Sequence, residues 1–86
     1  MERNNNMTTK IDQIKTLLNG ECESITEHTV SADWYRRNVD MYYAGTEAVD
    51  VVQCTYDYDL YAMPNYMTKQ EYNSKTPEQI AEAWEI

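Results

Sequence analysis

Residues 48–61 carry Val49, Val51, Val52, Thr55, Tyr56, Tyr58 and Tyr61, a run of β-branched and aromatic side chains suited to a pleated, half-buried surface. Alternation along such a strand places Val52, Cys54, Tyr56, Tyr58 and Leu60 on one face. Val51, Gln53, Thr55, Asp57, Asp59 and Tyr61 fall on the other. One face is apolar and the other bears carboxylates. A strand also needs a partner for its backbone N–H and C=O groups. The nearest candidate is residues 34–43, where Tyr35, Arg37, Val39, Met41 and Tyr43 alternate, although Tyr35, Val39 and Tyr42 also fit a helical stripe. Ala44-Gly45-Thr46-Glu47 supplies a turn between the two, so the expectation is a hairpin. Residues 21–30, rich in Thr, Ile, Val and Ser, read as a third, half-exposed strand.

Helices are expected at both ends. In residues 9–19, Ile11, Ile14 and Leu18 recur at helical spacing with Leu17 alongside, Thr9 and Asp12 form a capping arrangement, and Gly20 follows as a left-handed terminator. Thr76-Pro77-Glu78-Gln79 offers an N-cap, a proline at the first helical position and the Gln of a capping box, ahead of the apolar stripe Ile80, Ala81 and Trp84. Between them Pro64 ends the long strand, and residues 63–74 read as a loop with Tyr66, Met67 and Tyr72 free to pack down. The fold class is therefore α+β: a small antiparallel three-stranded sheet flanked by an N-terminal and a C-terminal helix, packed on one face with the other left open. Residues 1–6 read as a disordered leader and residues 7–86 as a single compact acidic domain.

Several chemistries lack their residues. Cys22 and Cys54 are too few for a disulfide scaffold and are wrongly spaced for zinc; they read as reduced, apolar strand residues. His28 could pair with a cysteine as nucleophile and base, but two small elements make a poor water-excluded pocket, and the reading is a strand histidine in a protein that is not an enzyme. Asp57-Tyr58-Asp59 resembles the opening of a calcium loop, yet Ala62 stands where Gly is needed and Thr68 where Glu is needed. Gly20 and Gly45 alone cannot build a phosphate-cradling loop. No metal or cofactor is expected. Lacking an apolar run of membrane-spanning length or a hydrophobic leader, the chain reads as cytoplasmic, with no membrane association.

Charge carries the remaining information. Asp and Glu outnumber Lys and Arg fifteen to seven, a net charge of −8, which disfavours direct contact with nucleic-acid phosphates. Arg36-Arg37 is the one adjacent basic pair and reads as an offset to Asp33 and Asp40. Between Arg37 and Lys69 there is no Lys or Arg, while Asp40, Glu47, Asp50, Asp57 and Asp59 all fall there with Tyr56, Tyr58 and Tyr61. Tyrosine combines contact area with a polar tip, as interfaces favour. Carboxylates two strand positions apart, such as Asp57 and Asp59, sit about 6.6 Å apart, of the order of the phosphate repeat on a nucleic-acid strand. These eight residues are the expected partner-binding set, facing a basic protein surface on a nucleic-acid-binding enzyme. The corresponding function is a small inhibitor that mimics nucleic-acid phosphates, of viral or mobile-element type, for example with an anti-CRISPR or anti-restriction role. The competing expectation is a structural or regulatory homo-oligomer, a homodimer at simplest, whose tyrosine-rich sheet face packs on its mate while the acids only solubilise it.

Overall fold

The computed structural model describes residues 9–56 and 63–85. Its elements run α1 (Lys10–Leu17), β1 (Cys22–Val30), α2 (Ala32–Asn38), β2 (Val49–Tyr56), β3 (Asn65–Thr68), α3 (Lys69–Ser74) and α4 (Pro77–Trp84). The three strands form one antiparallel sheet in the order β1-β2-β3, with helices before and after it, as the α+β expectation requires.

The terminal helices form where their local signals place them. Thr9 caps α1 by accepting from the Asp12 N–H at 3.1 Å, and the helix unwinds through Asn19 and Gly20, both at positive φ (59° and 77°). Gly20 carries no Cβ penalty in that region, which is why the chain can reverse there into β1. At α4 the capping box is complete: the Gln79 N–H donates to Thr76 Oγ1 at 3.2 Å and the Thr76 N–H donates to Gln79 Oε1 at 2.9 Å. Pro77 starts the helix without needing an N–H partner.

Two expectations between the helices are corrected. Residues 34–43 are not a strand; residues 32–38 form α2, and the partner of β2 is β1, in a register that sets Ile25 opposite Cys54 and Val30 opposite Val49. Ser31 accepts from the Trp34 N–H at 3.0 Å, Asp33 lies in the first turn, and Arg36 and Arg37 lie in the last, so cap and dipole both favour the helix. Its buried residues, Ala32 and Tyr35, keep helical spacing. The segment 44–47 is consequently a link from α2 to β2 rather than a hairpin turn. The Arg36 guanidinium fastens it by donating to the carbonyls of Gly45 (2.7 Å) and Tyr43 (3.3 Å), while the Tyr43 ring packs edge-on against Tyr35 at 5.0 Å.

Residues 63–74 are not a loop either. They hold β3 and α3, the latter capped by Thr68, which accepts from the Glu71 N–H at 3.1 Å. Thr68-x-x-Glu71 has the spacing of a capping box, a helix-start signal in the sequence that the loop expectation did not include. Among the described residues the strand count of three survives because β3 replaces the segment that became α2.

The main core lies on one face of the sheet. Ile14 and Leu18 of α1, Ile80, Ala81 and Trp84 of α4 and Tyr72 of α3 close over Cys22, Val52, Cys54, Tyr56 and Met67. Ile11 and Leu17, expected with the apolar stripe, stay 40% and 44% exposed. Burying a side chain such as Ile14 or Ile80 stabilises by about 1.5–3 kcal/mol. The second face is not left fully open. Tyr66 of β3, paired with Gln53, meets the Trp34 ring of α2 edge-on at 5.2 Å, and Val51 on the same face is completely buried. Thr26, His28, Gln53 and Thr55 form its polar remainder.

Candidate functional site: an outward acidic surface and a buried polar seam

The expected partner-binding residues divide into three groups. Asp57, Asp59, Tyr58 and Tyr61 lie outside the described residues. Asp40, Glu47 and Asp50 are exposed. Asp40 sits just after α2, where its Oδ1 accepts from the Tyr42 N–H at 3.0 Å; Asp50 sits on β2 and accepts from Thr29 Oγ1 at 2.7 Å across the β1–β2 pair. Tyr56 is buried with 7% of its surface exposed, and its phenol is hydrogen-bonded within the core.

Among the described residues the phenol most presented to solvent is Tyr42, which is 85% exposed beside Met41 at 70%. Asp40, Met41 and Tyr42 thus form a knuckle that combines a carboxylate with an accessible aromatic ring. In sequence alone Tyr42 is one tyrosine among several in the acidic window; in the structure it follows the end of α2 at Asn38, on the link to β2.

The cations explain why the surface stays acidic. Lys10 donates to the Tyr72 carbonyl at 2.6 Å and lies 4.3 Å from the centre of the Tyr72 ring. Arg36 pairs with Asp33 at 2.6 Å while holding the 44–47 segment, Lys75 pairs with Glu71 at 3.6 Å, and Lys69 pairs with Glu27 at 2.9 Å. Glu27 raises the Lys69 pKa, first through that hydrogen bond and then through its charge, with the charge of Asp50 adding to it. Lys69, Glu27, Asp50, His28 and Thr29 line a shallow depression of about 270 Å³. By contrast, Glu21, Glu23, Asp40, Glu47, Glu78, Glu82 and Glu85 are exposed, and none forms an ion pair among the described residues. Glu78, Glu82 and Glu85 line a second depression of about 270 Å³ with Leu17, Leu18 and Ala81, where α4 packs against α1. Glu85 caps the C-terminal end of α4, where the helix dipole disfavours a carboxylate.

The seam inside the core runs from Cys22 through Cys54 and Tyr56 to the end of α4. Tyr56 donates its hydroxyl to the Trp84 carbonyl at 2.7 Å, and Asn65 Nδ2 donates both to the Tyr56 hydroxyl and to that carbonyl at 3.3 Å. Burial, followed by hydrogen bonding with Cys54, raises the Tyr56 pKa well above the phenol range. Cys54 Sγ lies 2.8 Å from Cys22 Sγ. The Trp84 indole N–H is buried without an acceptor among the described residues.

His28 belongs to neither group. It is exposed, its Nε2 lies 2.9 Å from Thr26 Oγ1, and its pairing with Val51 turns it to the face opposite the two thiols, so the cysteine–histidine pair weighed from the sequence is not assembled. Among the described residues no group of three or more His, Cys, Asp or Glu side chains gathers closely enough to hold a metal ion, and no helix is long and apolar enough to cross a membrane. Comparison of the chain with protein-family models, with curated proteins and with solved structures finds no match.

Proposed function

We propose that this protein is a small acidic binding protein that inhibits a nucleic-acid-handling enzyme by occupying the basic surface on which that enzyme holds phosphates. One observation carries the reading: the cations at Lys10, Arg36, Lys69 and Lys75 are engaged within the fold, while carboxylates on α1–β1, on the 40–50 segment and along α4 face outward without ion pairs among the described residues. Such a field accelerates encounter with a basic groove and repels nucleic acid. The exposed Tyr42 and Met41 beside Asp40 supply contact area that can be desolvated once the charges have met. Defence nucleases, of restriction or CRISPR type, are the targets this chemistry fits.

The test is competition. Immobilised protein is expected to retain a basic nucleic-acid-binding enzyme from lysate at low salt, and that enzyme should lose its DNA or RNA on binding and be released at high salt. Replacing Asp40, Glu47 and Asp50 together with Lys should abolish both retention and competition while leaving the fold intact. Retention of the same enzyme by the charge-reversed variant, or simultaneous binding of enzyme, inhibitor and nucleic acid, overturns the proposal.

A second reading, a homo-oligomer, draws on the exposure of Met41, Tyr42 and Met63, the last at 78%. Light scattering separates the two: a salt-independent dimer abolished by Tyr42→Ser favours self-association, and a monomer rejects it.

A further inference from the structure

The two cysteines stand 32 positions apart in sequence, yet both thiols are buried and their sulfurs lie 2.8 Å from each other. The register explains the meeting. Cys22 pairs with Tyr56, and Cys54, two residues before Tyr56 on the same strand, points to the same face. The register shift between Cys22 and Ser24 lets the first residue of β1 lean toward Cys54. Cys22 Sγ also lies 3.4 Å from the Ser24 carbonyl, so the thiols are held in one arrangement.

We infer that Cys22 and Cys54 are an oxidation site that takes a low-molecular-weight disulfide as oxidant and closes into a cross-strand bond between β1 and β2. A disulfide needs its sulfurs about 2.05 Å apart, so closure asks for less than an ångström of side-chain movement from the separation observed. Cys22 reacts first, because it is the terminal residue of β1 beside the exposed Glu21, whereas Cys54 is paired on both sides, to Ile25 and to Asn65.

The Cys22 thiolate attacks one sulfur of oxidised glutathione, breaking its S–S bond; a mixed disulfide forms and one glutathione thiolate leaves. The Cys54 thiolate then attacks the Cys22 sulfur of the mixed disulfide, forming the Cys22–Cys54 bond and releasing the second glutathione. Two electrons pass to the oxidant, and the two thiol protons end on the two glutathione molecules. Burial, then the hydrogen bond with Cys22, holds the Cys54 thiol up at about 12. Both steps need a thiolate, so closure quickens as pH rises.

The bond removes loop-closure entropy from the unfolded chain over the 32-residue separation. In a domain of this size the melting temperature should rise by about 15–30 °C.

The experiment incubates the full chain with oxidised glutathione at mildly alkaline pH, unfolds it in the presence of a thiol alkylator, and reads intact mass and melting temperature. The expected product is a monomer lighter by two hydrogen atoms, without alkyl or glutathione adducts, melting higher by the stated amount and returning to the starting value after dithiothreitol. Cys22→Ala, treated identically, should show no rise. Two alkylated thiols, a lasting glutathione adduct, a disulfide-linked dimer, or an oxidised monomer that melts no higher each overturns the inference. The mass reading on the unsubstituted chain stands even if the variant fails to fold.

Discussion

Replacing Tyr56 with Phe is expected to destabilise the fold while leaving any partner untouched. The substitution keeps the ring among Val52, Met67 and Trp84 and removes only the hydroxyl, which donates to the Trp84 carbonyl at 2.7 Å and accepts from Asn65 Nδ2. A net hydrogen bond contributes about 0.5–1.5 kcal/mol, and a buried polar group left without a partner costs about 1–3 kcal/mol. Here the Trp84 carbonyl still receives Asn65 Nδ2 at 3.3 Å, so neither group is wholly abandoned. The expected loss is therefore about 1–2 kcal/mol, the lower part of the combined range. At about 4–8 °C per kcal/mol for a domain of this size, that is a fall of roughly 5–15 °C in melting temperature. Thermal unfolding followed by circular dichroism measures it, and urea titration should show a lower midpoint with unchanged slope. The losses from Asn65→Ala and Tyr56→Phe should not be additive, because both act on one carbonyl. A change within about 0.5 kcal/mol, the size typical of surface substitutions, would refute the reasoning and return Tyr56 to the outward set.

Other expectations are direct. Ile80→Ala, at a completely buried position, should cost about 2–5 kcal/mol, read from chemical denaturation. Thr76→Ala breaks the side-chain half of the α4 capping box and should cost about 1 kcal/mol; Thr76→Ser should restore most of it. Stability of the reduced protein should fall at alkaline pH. The folded pKa values of Cys54, Tyr35, Tyr56 and Tyr72 are all raised, chiefly by burial, so above about pH 8.5–10 the unfolded chain releases protons that the folded chain retains. The contribution is fully present below that window and is lost as pH rises toward the folded values. Melting temperature measured from pH 8 to 11 should decline, with a shallower decline in Tyr56→Phe; a flat profile rejects the assignment. Gly45→Ala should loosen the link between α2 and β2, since a Cβ there collides with the Tyr43 phenol, and should lower the melting temperature more than Ala44→Ser.

What the sequence alone determined was the structure whose causes lie within four or five residues of their effects. Thr9 and Asp12, the left-handed Gly20, and the Thr76-Pro77-Gln79 cap act locally, so α1 and α4 are legible before any fold is known. The β-branched and aromatic run of β2, and the burial of Val52 and Cys54 on one face, follow from composition and alternation in the same way.

Tertiary structure decided whatever depends on pairing. Residues 34–43 satisfy a strand period and a helix period at once; the helix prevails where β2 takes β1 as its partner, Ser31 caps the turn and Tyr35 buries against the chain that follows. A four-residue β3 is too short to announce itself, and exists because Val52 and Gln53 pair with Met67 and Tyr66. The acidic excess is plain in the sequence, but that Lys69 meets Glu27 and that Cys22 meets Cys54 turn on strand register. Register is set by contacts between residues tens of positions apart, where burial on one face outweighs local preference, and no local pattern records it.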